Sequence, residues 1–289
     1  MAVLAFGEIL YDVYPDGKCV GGAPLNFAAH FVKQGGQAYV LSAVGKDALG
    51  AELVEQICRW GVDPAFVSVL EDKETGTCRV TLDGRGVPSY ALVEDVAYDH
   101  IPTGCVEGVE RPLLYFGTLA LRGGENRAAL TRLMERMAFD EVFVDVNIRR
   151  PFISGEVLRF ALDKATIVKI SDEELPYITE ELFGRVYPPR EAARRLQESY
   201  PGLRLVVITC GGDGAMALDC RTGESACCGA EPVEVASTVG AGDSFSAAFL
   251  YRFLQGDRLE NCLKVASRVA GFVVSRVDAV PDYAAAELL

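Results

Sequence analysis

Residues 237–254 read STVGAGDSFSAAFLYRFL, and the fold turns on why two glycines and an aspartate stand directly before a long apolar run. Gly240, Ala241 and Gly242 allow a tight turn with bare backbone N–H groups, and the run after them has the composition of a helix. The first N–H groups of a helix lack partners inside it and lie at the positive end of its dipole, so such a turn attracts an anion. Asp243 cuts across this, because a carboxylate in the same place repels one. Taken alone, the stretch fits two accounts. Asp243 caps the helix, the commoner role for aspartate at such a boundary, or it takes part in chemistry beside a bound anion.

The surrounding chain has 289 residues, half of them apolar, enough for a sizeable core in one large domain. A formal net charge of −13 without any basic block argues against nucleic acid or an anionic membrane as partner, so any phosphate must be held by local geometry. The opening MAVLAFGEILYDV has no basic segment and soon meets Glu8 and Asp12, and no apolar run is long enough to span a bilayer; a cytoplasmic protein is expected. The nine cysteines form no C-x-x-C pair, and His30 and His100 lie away from the cysteine-rich stretch near 210–228. Free buried thiols are therefore expected rather than zinc or disulfides, and two isolated histidines give no support to a Ser-His-Asp or Cys-His centre.

Short apolar, β-branched runs recur at 3–10, 38–44, 113–117, 141–147, 165–171 and 203–209. Helical patterns alternate with them at 23–34, 48–60, 125–137, 189–199, 243–255 and 258–275. In the third of these, Leu130, Leu133, Met134 and Met137 fall on one face. Such alternation predicts a mostly parallel sheet covered on both sides. Residues 75–99 break the pattern, with strand-like runs flanking the turn signal DGRG and no helix. An antiparallel β lid on an α/β body is expected, formed from about 11–22 and 75–100, and without tandem repeats or linkers residues 1–289 are expected to make one domain.

Several strand ends carry chemistry. No Walker A pattern occurs, and GDGAMA (212–217) runs into a strand-like segment where a dinucleotide fingerprint needs a helix. In GGAPLNFAAH (21–30), Gly22 lets a ligand approach the backbone and Asn26 offers donor and acceptor to a hydroxyl, or the segment is an ordinary loop-to-helix junction. Asp12 is either a carboxylate acceptor for the same ligand or a turn residue. DVNIRR (145–150) places Asp145, Asn147 and Arg149 at a strand end facing a crevice, or in a loop ion pair. KISDEEL (169–175) offers Glu174 to a hydrated magnesium ion or is an acidic helix start, and TCGGDG (209–214) offers Thr209 and its glycines to phosphates or an adenine ring.

In this order and over about 230 residues, GGAPLNFA, DVNIRR, KISDEEL, ITCGGDGA and STVGAGDSF resemble the ribokinase-like (PfkB) family, and the first two are similar to fructokinases and 2-keto-3-deoxygluconate kinases. The resemblance implies a three-layer α/β/α sandwich with a small β lid, ATP as phosphoryl donor and a free sugar as acceptor. By position, Asp243 matches the catalytic base and Gly240, Ala241 and Gly242 the anion hole. Asp12, Gly22 and Asn26 match sugar contacts, with Asn147 and Arg149 beside them; Ser171, Thr209, Gly211 and Gly214 fall along the nucleotide, and Glu174 where the family orders magnesium-bound water. The chain departs from the family at Ser237, usually Asp, which removes a sugar contact and part of the monovalent-cation loop of many members. It departs again at Ser171, usually Asn, and at VDA (277–279), usually a Lys-Gly-Ala-like run. The expected activity is ATP-dependent phosphorylation of fructose or a related keto sugar. The alternatives are a 2-keto-3-deoxygluconate or nucleoside kinase, or a non-catalytic sugar sensor. Exposed lid edges suit a homodimer.

Overall fold

The computed structural model describes residues 1–82 and 88–288. Nine strands form one sheet: β1 (Ala2–Phe6), β4 (Gln37–Gly45), β5 (Val67–Leu70), β8 (Leu113–Phe116), β9 (Val142–Asp145), β10 (Ile167–Ser171), β11 (Leu205–Thr209), β12 (Ala215–Asp219) and β13 (Ser225–Cys228). Their order is β13-β12-β11-β10-β9-β8-β1-β4-β5, parallel from β11 to β5, with β12 and β13 antiparallel at the far edge.

Strand periodicity divides the interior in two. Val3 and Ala5 of β1 join one core while Leu4 and Phe6 join the other. On the first side pack α1 (Ala23–Lys33), α2 (Ala48–Arg59), α7 (Ala241–Leu254) and α8 (Leu259–Val274). On the second lie α3 (Gly124–Arg136), α4 (Gly155–Lys164), α5 (Leu175–Phe183) and α6 (Pro189–Ser199). This is the expected α/β class, a mostly parallel sheet between two helical layers.

A second sheet, ordered β3-β2-β6-β7, comprises β2 (Leu10–Tyr14), β3 (Gly17–Gly21), β6 (Gly76–Leu82) and β7 (Pro88–Leu92). Its two antiparallel pairs are joined by the parallel pairing of β2 with β6. Strands thus stand in both stretches where a lid is expected, about 11–22 and 75–100, with the DGRG signal at 83–86 outside the described residues. The segment following β7 is not strand: Ala97–Asp99 make a 3-10 turn, and Tyr98 is fully buried in a cluster with Leu10 and Cys78 of the second sheet.

Three further expectations change. Residues 3–10 are not one strand, because Gly7 at φ 144° ends β1 and the chain enters the second sheet at Leu10. Helix α4 stands where no helix is expected, marked by Ser154, whose Oγ accepts the Val157 N–H at 3.3 Å, whereas α5 follows the acidic helix start read in KISDEEL, with Pro176 in its opening turn. All nine cysteines are free as expected, yet Cys19, Cys58, Cys105 and Cys227 are exposed, so burial does not account for them.

Candidate active site

The C-terminal ends of β9, β10 and β11 present Asp145, Ser171 and Thr209, the region where parallel sheets bind ligands. Against them stands the N-terminus of α7. Gly240 precedes it at φ 80°, and a Cβ there would run into the carbonyl of Ala279. Only glycine fits on both counts. Ala241 N–H reaches Thr238 O at 3.3 Å and Ser244 N–H closes the first turn on Gly240 O at 2.9 Å. Among the described residues nothing occupies the N–H groups of Gly242 and Asp243. Unpaired N–H groups at the start of a helix are the arrangement that favours an anion.

Asp243 is the third residue of α7 and caps nothing, so the N-cap account fails. Its Oδ2 instead accepts a 2.9 Å hydrogen bond from Asn26 Nδ2 across the molecule. The side chain is 9% exposed, and burial followed by the charge of Asp145 pushes its carboxyl up to about 6, against the pull of Asn26, Lys169 and Arg149.

Asp145, expected in the crevice, is buried beneath it. Lys169 Nζ donates to its Oδ1 at 3.1 Å and Ser246 Oγ to its Oδ2 at 2.9 Å. Burial opposes the charge of Lys169, but Asp145, Glu174 and Asp243 outweigh it and keep the amine protonated. Its Nζ lies 3.1 Å from where a Cβ of Gly242 would stand, so a full positive charge backs the anion site.

On the acceptor side, Gly22 at φ 113° leads into α1, and a Cβ there would strike the carbonyl of Glu8. One turn on, Asn26 is 4% exposed. Asp12 lies on β2 with its carboxyl raised by burial, while a Cys78 hydrogen bond and the charge of Arg149 act the other way. The Arg149 charge also acts on Glu8 and Asp243, so Arg149 lies near Asp12, Glu8 and Asp243, and Asn26 joins them through its bond to Asp243. Asn147, half-buried at φ 42°, starts the loop that carries Arg149 there.

On the other side, Thr209 pairs in register with Ser171 and Ala215. Gly211, at φ 50°, has open space where a Cβ would be, whereas one on Gly214, at φ 100°, would run into Cys228 O. Glu174 ties two strand ends together: Oε1 accepts Ile148 N–H at 2.6 Å and Oε2 accepts Ser171 N–H at 2.8 Å, while Ser171 Oγ accepts Glu174 N–H at 3.3 Å. Ser237 Oγ accepts Val239 N–H at 3.2 Å and brings no charge. No cluster of three metal-ligating side chains occurs among the described residues. In the VDA segment, Ala279 O accepts His30 Nε2–H at 2.9 Å, while His30 Nδ1 accepts the Tyr283 hydroxyl at 2.8 Å. The imidazole is neutral, since burial lowers it to about 4.

Sequence reasoning missed Lys169, Glu8 and His30. A lone lysine inside the apolar run ATIVKIS was the available signal for the first, and a charge between Gly7 and Ile9 for the second. A cavity of about 520 Å³ lined by Asp99, Arg122 and Phe152 among others shares no residue with this group.

The model of the pfkB family carbohydrate kinases matches residues 15–284. A sugar kinase of Pyrococcus horikoshii is 29% identical over 256 residues, 85% of this chain and 77% of its own length. Fructokinase-1 of Oryza sativa is 28% identical over 315 residues, 97% of this chain and 94% of its own. The fructokinase of Xylella fastidiosa, solved with bound ATP, superposes with a TM-score of 0.85 at 21% identity, covering 96% of this chain and 94% of the other, and shows the shared fold.

Proposed function

The chain belongs to the pfkB family of carbohydrate kinases, and from that premise we propose that it transfers the γ-phosphoryl group of ATP to a hydroxyl of fructose or a related keto sugar. The observation that carries this is Asp243, a desolvated carboxylate fixed by Asn26 beside unpaired N–H groups at a helix N-terminus. As the sugar oxygen forms its bond to phosphorus and the bond to the ADP oxygen breaks, the hydroxyl proton passes to Asp243. Charge gathering on the phosphoryl oxygens meets the Gly242 and Asp243 N–H groups, with Gly240 and Ala241 shaping the turn and Lys169 behind it. Repulsion is limited because Asp243 faces a proton, not the phosphoryl oxygens. Asp12, Gly22, Asn26, Asn147 and Arg149 hold the sugar, and Ser171, Thr209, Gly211 and Gly214 border the nucleotide.

Magnesium fits this setting. The ion keeps several waters and takes its other ligands mainly from phosphates, so no cage of side chains is needed, and it supplies charge neutralisation on the phosphates. Glu174, already holding two N–H groups, retains lone pairs for a magnesium-bound water. Ser237 lacks the carboxylate charge a monovalent-cation loop would use, so added potassium should change the rate little. No helix of the described residues is long and apolar enough to cross a membrane, and a cytoplasmic location suits ATP as substrate. A homodimer through the edges of the second sheet is expected; a monomer mass by light scattering at high concentration would reject it.

The deciding experiment couples ADP release to mass detection of product, with keto sugars, aldoses, sugar acids and nucleosides as acceptors. The parent should yield a keto sugar phosphate, and Asp243→Ala should lose several orders of magnitude in kcat with ATP binding retained. Near-normal turnover by the variant rejects the base. Binding of a sugar with no product from any acceptor identifies a sensor instead.

A further inference from the structure

Asn26 has only one end of its amide satisfied. Nδ2 is fixed on Asp243, while Oδ1 is buried without a partner. An orphaned buried acceptor is unfavourable, and turning the amide over would set Oδ1 against the Asp243 carboxylate. A second orphaned atom of the same kind is Glu8 Oε2, on a side chain only 3% exposed. Glu8 lies at the start of α1, where the Ala23 N–H faces its carboxyl and a Cβ on Gly22 would meet its carbonyl. Side chains one turn into a helix lean back toward its N-terminus, which points Asn26 toward the same place. Two buried acceptors with no donor become a hydrogen-bonded pair if one proton is added.

We propose that Glu8 is a positioning residue for the catalytic base: as the neutral acid it donates from Oε2 to Asn26 Oδ1 and so holds the amide with Nδ2–H on Asp243. The groups facing Glu8 are Asp243 from α7, Arg149 from the loop after β9, Tyr98 from the 3-10 turn and Tyr115 from β8. Burial comes first among the causes that raise its carboxyl to about 7, and Asp243 adds to it against the pull of Arg149. Proton loss from Glu8 then releases the amide. Asp243 must be ionised and Glu8 neutral, and because the two carboxyls interact the profile reports the pair.

This inference rests on Asp243 as base, and three variants separate the two. In the parent, kcat/KM should fall as pH rises above about 7, the alkaline limb belonging to Glu8. Glu8→Leu, which cannot donate, should lower kcat roughly tenfold or more below about pH 7, with the KM values for sugar and ATP nearly unchanged, and the deficit should close as pH rises and the parent's own Glu8 loses its proton. Glu8→Gln, a neutral donor of similar shape, should rescue most of that loss and abolish the alkaline limb. An alkaline limb retained in Glu8→Gln, or equal losses in a folded Glu8→Gln and in Glu8→Leu, overturns the role of Glu8. Turnover by Asp243→Asn overturns the base itself, whatever Glu8 does.

Discussion

Asp243 and Lys169 show what a buried charge beneath a phosphoryl site must do. The amine keeps Asp145 from being a lone buried carboxylate and helps draw the Asp243 carboxyl down. Lys169→Met removes both effects. Removing one partner of a buried pair typically destabilises by about 3–5 kcal/mol, so the denaturant midpoint should drop markedly. The acid limb of kcat/KM, which in the parent rises with pH through about 6 as Asp243 ionises, should move to higher pH because a neighbouring positive charge is gone. An unshifted limb in a folded Lys169→Met protein would show that the amine does not act on the base. The glycine turn was legible in the stretch itself, but the part played by Asp243 was not, and only the order of the other motifs along the chain favoured chemistry over a cap. The cap reading failed for a local reason: α7 begins two residues before Asp243, and sequence places helix starts no better than that. Glu8 and Asn26 are far apart in the chain from Asp243, and nothing local announces that they meet it.

At the level of elements, the loop from β11 to β12 contains two glycines with opposite physics. Gly211→Ala adds a methyl in open space at φ 50°, a strain of about 1–2 kcal/mol, so the loss of stability should be modest and the KM for ATP should rise if nucleotide lies over it. Gly214→Ala drives a methyl into the Cys228 carbonyl of β13 at φ 100° and should lower the melting temperature far more than the first change. Comparable losses from both, read by thermal unfolding alongside ATP kinetics, would contradict this division. The strands at 141–147, 165–171 and 203–209 could be read because burial on both faces writes a continuous apolar run. The same rule misled at 3–10, where Gly7 turns the chain from one sheet to another and Glu8 interrupts an otherwise apolar run. Helix α4 escaped notice because its buried residues, Val157, Leu158, Ala161 and Leu162, are few and follow the turn-like stretch PFIS.

Over the whole molecule, the two sheets differ in how firmly they are held. The large sheet lies between two extensive cores, whereas the second has its own small cluster of Leu10, Cys78, Val96 and Tyr98. Local opening follows buried apolar contact, so the second sheet belongs to the weaker part of the fold. Its return to the body is tied at several places, with Asn126 Nδ2 donating to Tyr98 O at 2.8 Å and His100 beside Glu125, and Arg122 makes the largest set of contacts. Arg122 pairs with Asp99 at 2.7 Å, donates to Val93 O at 2.7 Å and stacks over Tyr98 and Phe152. If the second sheet closes on a ligand, Asp12, carried by β2, would move with it. Hydrogen exchange tests this directly. In the free protein, amides of Leu10–Tyr14, Gly17–Gly21 and Gly76–Leu82 should exchange faster than those of β8, β9 and β10, and adding fructose with ADP should slow the first group while leaving the second as it was. Equal exchange in the two sheets, or protection confined to the large one, would mean that the second sheet is a fixed wall of the site rather than a lid. Water exclusion before phosphoryl transfer would then have to come from the sugar itself filling the space between Asp12, Asn26 and Asp243.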